Sequence, residues 1–349
     1  LARRFDHLID QSPPGSVPFA GQNVVRGLAE TQVDGRDHVW VGLDSAGIRQ
    51  YERVYEGRYE LVRIFHSEAP PLQRLPGNEI STLALDPVSG NLWVGQGRNL
   101  VVIDTRRGEV LRSNALDSQP GIDQIESLLF SRDAQRLWIA HAAVNEFELG
   151  ADRLTLGDCP NGAFLSELGQ RALLELDGGR LIVAGRDGFS LVEFHCSRAD
   201  RALQSRIFPM PGVREIHGLA RGAGDSFWVG TRQSGLALVE LQTGLRAPKL
   251  TWFDSETGLV DDAIHAILRE DSSRLWLSSN QGLMRFDPAL GDLRHFTPPD
   301  GVQHFEFNRG VVHRGESGYF YFGGINGVNA FRPEAINILR QAPRLRLSG

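Results

Sequence analysis

One phrase recurs seven times along this chain: HVWVGLDSAGI, NLWVGQGRNL, RLWIAHAAV, RLIVAGRDGF, SFWVGTRQSGL, RLWLSSNQGL and YFYFGGINGV. Each copy is a short apolar strand with one bulky anchor, and all but RLWIAHAAV carry a glycine after it. The anchors are Trp40, Trp93, Trp138, Ile182, Trp228, Trp276 and Tyr321, spaced 44 to 53 residues apart. A period in the forties means one supersecondary unit repeated, and short strands make that unit a propeller blade. Seven copies predict an all-β, seven-bladed β-propeller with four-stranded antiparallel blades. A chain of 349 residues would ordinarily suggest two domains. The array overrides that, because a ring has no midpoint at which to divide. Residues 1–338 are therefore read as one propeller, and 339–349 as the start of a connector to a following domain.

Each repeat resolves into four strands, lettered a to d from the axis outward. The innermost are apolar: Ile80–Leu85, Ile125–Phe130, Ala172–Leu176, Ile216–Ala220 and Ile264–Leu268. Turns such as DGRD, DPVSG and EDSS follow, rich in residues that hydrogen-bond their own backbone. Strand b holds the anchor, and strand d is the most polar. Aromatics at one register of every b strand are read as core, each packing on a neighbouring blade. Trp252 lies off that register and is expected to cover a blade flank. Ala163–Leu168 reads as a short helical turn, and Asp10–Gln22 and Ser67–Asn78 as long Pro-rich loops.

The last repeat supplies only three strands, around Phe307–His313, Tyr319–Phe322 and Val328–Phe331. The opening segment resembles the d strand of other repeats, so Arg3–Leu8 is predicted to complete blade seven. That pairing would seal the ring and remove an exposed edge.

Composition excludes several classes. The net charge is −6, with no basic run of the kind a nucleic-acid surface needs. No apolar stretch is long enough to span a bilayer, and no signal-peptide pattern opens the chain. The opening LARRFDHL reads as an excerpt of a longer protein, whose flanks are expected to hold targeting signals and any membrane contact. The two cysteines, Cys159 and Cys196, are placed on opposite faces. A six-residue strand separates those faces by about 20 Å, against the roughly 7 Å limit for a disulfide. Free thiols are the expectation.

The residues in FDSETGLVDDAIHAILREDSSRLWLSSNQGLMRFDPALGDLRHF, together with GVQHFEFNRGVVHRGESGYFYFGGINGVNAFRPEAI, resemble the two-component regulator propeller repeat. The likeness covers nearly the whole chain. It thins in blades three and four, where Ala140-His141 and Ile182 depart from the usual Trp-Ile-Gly-Thr. The resemblance implies the periplasmic sensor region of a hybrid histidine kinase or diguanylate cyclase. It further implies signalling through dimers and no catalysis in this domain.

The residues show no catalytic constellation of weight: no GxSxG, CxxC, HExxH or phosphate loop. No cofactor and no metal are expected. His217 and His265 occupy equivalent positions in adjacent a strands. There they could share a metal or a proton, though tolerated core positions are the plainer reading. Asp261 and Asp262 read as turn chemistry.

Propeller geometry puts the d–a and b–c loops together around one channel mouth. The b–c loops bring Asp44, Arg98, His141, Arg186, Arg232 with Gln233, Asn280 with Gln281, and Asn326. The d–a loops bring Asn23, Asn78, Gln124, Arg214, Asp262, and Glu306 with Asn308. Arginines on one side and acids on the other would suit an anionic or zwitterionic ligand, gripped by guanidinium forks. The competing reading is that acids such as Asp187 and Glu215 pair with those arginines. The leading function is therefore an extracytoplasmic ligand-sensing domain for a small, anionic molecule or an oligosaccharide. The alternative is a lyase- or lactonase-like enzyme using His141, Glu306 and Asp262 at the same mouth. A protein-interaction platform is a third reading, weakened by the lack of a GH…WD pattern.

Overall fold

The computed structural model describes residues 5–8, 23–113, 124–141, 144–149, 154–156, 172–197, 200–242 and 247–336. Apart from short 3₁₀ turns, all regular structure in them is β. It forms seven four-stranded antiparallel sheets, the blade set of a seven-bladed propeller. The first sheet runs Val25–Val33, Arg36–Leu43, Ile48–Tyr55 and Arg58–Phe65, from axis to rim. The inner strands that follow are Thr82–Leu85, Ser127–Phe130, Ala172–Glu175, Ile216–Arg221, Ala266–Arg269 and Phe307–Arg314.

All seven anchors are buried, none more than 8% exposed. A buried indole N–H needs an acceptor. Trp40 Nε1 donates to Thr31 Oγ1 at 2.8 Å, and Trp276 Nε1 donates to Glu270 Oε2 at 2.9 Å.

The glycine two residues beyond the anchor marks where the next blade docks. A Cβ on Gly42 would stand 2.7 Å from Ile80 Cγ2, and one on Gly230 would stand 2.8 Å from Ile264 Cγ2. Ile80 and Ile264 are the buried residues that lead into the next blade. Their backbone N–H groups reach back to Leu43 O (3.1 Å) and Thr231 O (2.8 Å). The repeated glycine is thus a packing requirement, since the neighbouring blade occupies the space a side chain would fill.

The first and last blades meet through a buried carboxylate. Glu30, 5% exposed, accepts from Tyr321 Oη and Ser317 Oγ, both at 2.6 Å. The Glu30 backbone N–H donates to His313 Nε2 at 3.1 Å, and Asn308 Nδ2 donates to Val25 O at 2.8 Å. The predicted N-terminal pairing is present. Asp6, His7 and Leu8 lie opposite Ala330, Asn329 and Val328 as the fourth strand of blade seven. Just before it, Phe5 is 1% exposed and stands edge-on to Phe331, Phe296 and Trp276, at 4.9, 5.4 and 6.4 Å between ring centres. It therefore joins blades six and seven.

Trp252 packs half-buried on the cluster between blades four and five, as expected. The Ser67–Asn78 loop contains a single 3₁₀ turn, Pro71–Gln73. Arg3 and Arg4, the Asp10–Gln22 loop, the Ala163–Leu168 turn, Cys159 and the 339–349 connector lie outside the described residues. So does the side chain of Cys196.

Truncating a buried aromatic of this kind costs about 3–5 kcal/mol. Phe5→Ala is therefore expected to shift the denaturant midpoint sharply, and deletion of residues 1–9 to shift it further. Unchanged midpoints for both would remove the N-terminal strand from any role in sealing the ring.

Candidate ligand site at the propeller mouth

Three inner strands build the mouth by the same local device. Ile216, Ile264 and Phe307 each turn inward, and their N–H groups bond Gly185 O, Thr231 O and Ser279 O of the preceding blade. Side chains alternate along an extended chain. Burying these three residues therefore turns Glu215 and His217, Ala263 and His265, and Glu306 and Asn308 toward the axis. All six line one cavity of about 860 Å³, with Arg232, Gln233, Asn280, Asp262 and Arg309 among the other walls.

Beside it lies a smaller cavity of about 470 Å³, lined by Arg186, Asp187, Arg214, Glu215, Arg232 and Arg309. Four guanidiniums thus face two carboxylates. Glu215 is half shared: Arg309 Nη1 grips Oε1, and Arg232 Nη1 lies 3.4 Å from Oε2. Among the described residues, no carboxylate lies within ion-pair distance of Arg186 or Arg214. Below these, a channel of about 950 Å³ runs along the axis past Arg26, Asp44, Arg98 and Gln124.

The two histidines form a stacked pair, with ring centres 5.1 Å apart and planes 19° from parallel. Their Nδ1 atoms approach to 2.9 Å, and His265 Nε2 lies 2.8 Å from Asn280 Oδ1. One of the two facing Nδ1 atoms donates and the other accepts, so the rings share a single proton along that contact. His217 Nε2 is buried without a hydrogen-bond partner, 3.5 Å from Glu215 Oε2. Burial, then the neighbouring His265 and Arg309, push His217 down to about 4. Burial lowers His265 as well, against the opposing hydrogen bond to Asn280 Oδ1. Both rings are neutral at pH 7.

Asp261 and Asp262 do make turn contacts. Asp261 accepts from Ala263 N (3.0 Å) and Asn280 N (2.9 Å), and Asp262 from Ser255 N (2.7 Å) and Oγ (3.0 Å). These donors are neutral, so none of them brings a counter-charge to the cavity that both residues line. Among the described residues, no group of three or more His, Cys, Asp and Glu is arranged to hold a metal.

Of the residues singled out from sequence, Arg232, Gln233, Asp262, Asn280 and Glu306 meet in the larger cavity, and Arg186 lines the smaller. Arg98 stands apart, on the axial channel. His141 is only 4% exposed and lines none of the three cavities. Asn326 is engaged with Gln303, its N–H donating to Gln303 Oε1 at 3.0 Å. Arg26 and Arg309 were missed, because neither sits in a b–c loop or at the expected start of a d–a loop. The alternation around Phe307 puts Glu306 and Asn308, not Arg309, toward the axis, so no local signal could have found Arg309. Arg26 is held by Asp44 at 2.7 Å.

Comparison with known proteins supports the family reading at the level of fold. The extracellular domain of the hybrid two-component system BT3049 from B. thetaiotaomicron superposes with a TM-score of 0.70 at 21% identity. The match spans 95% of this chain and 41% of that one. A catalytically inactive histidine-to-alanine variant of virginiamycin B lyase from Staphylococcus aureus superposes at 0.62 with 12% identity, over 94% of this chain and 98% of that one. Over 91 residues the chain is 31% identical to histidine kinase P4 of Formosa agariphila, covering 26% of this chain and 7% of the kinase. No family model matches. The chain thus spans under half of the two-component neighbour and a small part of the kinase. The resemblance to the two-component regulator propeller is borne out.

The histidine pair has a consequence for acid stability. A histidine whose folded pKa lies below its ordinary value stabilises the fold fully above about 6.5, and that contribution is lost as pH falls toward about 4. The melting temperature is expected to fall across that window. It should fall less steeply in a His217→Asn, His265→Asn double variant; equal slopes would show that the pair does not titrate on unfolding.

Proposed function

We propose that this chain is the extracytoplasmic ligand-sensing domain of a bacterial transmembrane signalling protein, with a histidine kinase or diguanylate cyclase as output. In this reading residues 1–338 form one ring, sealed by the N-terminal strand, and 339–349 lead into the connector. The domain itself performs no catalysis and binds a small anionic ligand or a charged oligosaccharide at the mouth. Its membrane contact comes through flanking segments, and homodimers of the full-length protein carry the signal.

The observation that carries this reading is the smaller cavity, where Arg186 and Arg214 converge with no carboxylate partner among the described residues. Leaving guanidiniums unmatched in a shared concave site costs electrostatic repulsion. An anion repays it with charge-assisted, bidentate hydrogen bonds. The likeness to two-component extracellular domains supports the sensor class. Among the described residues no helix is long and apolar enough to cross a membrane.

A second reading keeps the same mouth but makes it an active site. It is favoured by the lyase neighbour and by a stacked pair of neutral histidines lining the cavity. Turnover of a mouth-bound compound would decide for it.

The test is a thermal-shift screen of glycans, amino acids and organic acids, followed by titration of each hit. Arg186→Ala with Arg214→Ala is expected to weaken every anionic hit by about tenfold or more, the worth of one charged hydrogen-bonded contact. Hits that bind the double variant with unchanged affinity would end the proposal.

A further inference from the structure

The N-terminal strand and the mouth cavity touch the same loop. Residues 297–306 join blade six to blade seven, and their far end, Glu306, lines the larger mouth cavity. Their near half lies against the strand Asp6–Leu8. His7 Nε2 donates to Gly301 O, and Phe5 shares a buried cluster with Val302. A Cβ on Gly301 would stand 3.8 Å from the Phe5 ring.

Two buried amides tie the ends of that loop together. Asn329 is 0% exposed and lies opposite His7 in the sheet. Its Nδ2 donates to Gly301 O at 3.3 Å, and its Oδ1 accepts from Gln303 N at 2.8 Å. Gln303, 7% exposed, carries the chain onward. Its Nε2 donates to Glu306 O at 3.2 Å, and its Oε1 accepts from Asn326 N at 3.0 Å. Both amide orientations are fixed by a backbone N–H, which can only donate.

The loop has little slack in which to lose a displacement. Thr297 N donates to Asp300 Oδ2 at 3.0 Å, and Asp300 N to Thr297 O at 2.8 Å, which braces its start. Near its end, a Cβ on Gly324 would collide with Gln303 Nε2 and Glu306 O, so blade seven packs directly beneath it. The element with two discrete states is the strand itself. It pairs over three residues and docks or releases as a unit.

We infer that Gln303 and Asn329 are positioning residues of a built-in relay, through which docking of the N-terminal strand sets the place of Glu306 at the mouth. Release of the strand withdraws Phe5 and His7 from the loop, and Gly301, Gln303 and Glu306 lose their alignment together. Coupling of this kind is reciprocal. Whatever steadies Glu306 from the cavity side also steadies the pairing of Asp6–Leu8 with Val328–Ala330.

Hydrogen–deuterium exchange on the whole chain tests the relay without any ligand. His7→Ala removes one exposed contact and leaves every core side chain in place. It is expected to speed exchange of the Gln303 and Phe307 amides by about fivefold, the worth of one net hydrogen bond. Gln303→Leu should speed exchange at Asp6–Leu8 by a similar factor. In the double variant the combined effect should fall short of the product of the two, because both break one connection. Exchange in blades two and five should stay unchanged, which separates the relay from a general loosening. Effects that simply multiply in the double variant, or a His7→Ala effect confined to residues 6–8, would overturn the relay. If Gln303→Leu does not fold, His7→Ala decides alone: faster exchange at Gln303 and Phe307 supports the relay, and unchanged exchange there overturns it.

Discussion

Everything in this molecule depends on blade meeting blade closely enough to exclude a side chain. A single four-stranded blade has two faces and cannot bury either alone. The close approach of Ile80 to Gly42, and of Ile264 to Gly230, lets each anchor sit in a dry cluster shared with its neighbour. The hydrogen bonds from Ile80 and Ile264 back to the preceding blade fix the rotation between sheets. The same contact that makes the core also sets the angle between neighbouring blades.

That constraint explains why the mouth is chemically free. Once Ile216, Ile264 and Phe307 are committed to the seams, the alternation of the strand delivers Glu215, His217, His265 and Glu306 to the axis regardless of their identity. Scaffold and site are thus interleaved residue by residue. The acids, guanidiniums and neutral imidazoles at the mouth are carried by strands whose seams are made by other residues. The exception is the histidine pair, whose burial ties the site weakly to the stability of the fold.

The seven blades were legible because their determinants repeat. Trp40, Trp93, Trp138, Trp228, Trp276 and Tyr321 announce blades at a fixed period, and the unfinished last repeat pointed to the N-terminal strand. The mouth was legible only in part, because it is assembled from residues that do not repeat. Loop position correctly brought Arg186, Arg232, Asp262 and Asn280 toward the mouth cavities. It also nominated His141, which is buried, and Asn326, which is engaged with Gln303. Arg309 lies two residues past a buried phenylalanine, and its approach to Glu215 crosses 94 residues of chain. No local pattern encodes a contact of that separation. The histidines were visible as equivalent positions, but their stacking and the contact between their Nδ1 atoms are products of the blade angle.

The central claim is that an intact ring presents an unmatched cationic pocket at its mouth. A crystal soaked in selenate and measured at the selenium edge tests it most directly, since the tetrahedral oxyanion scatters anomalously and reports its own position. The account predicts an anomalous peak between Arg186 and Arg214, on a ring whose seventh blade includes the N-terminal strand. Selenate bound only elsewhere, with those two guanidiniums turned onto carboxylates of the same chain, would contradict it.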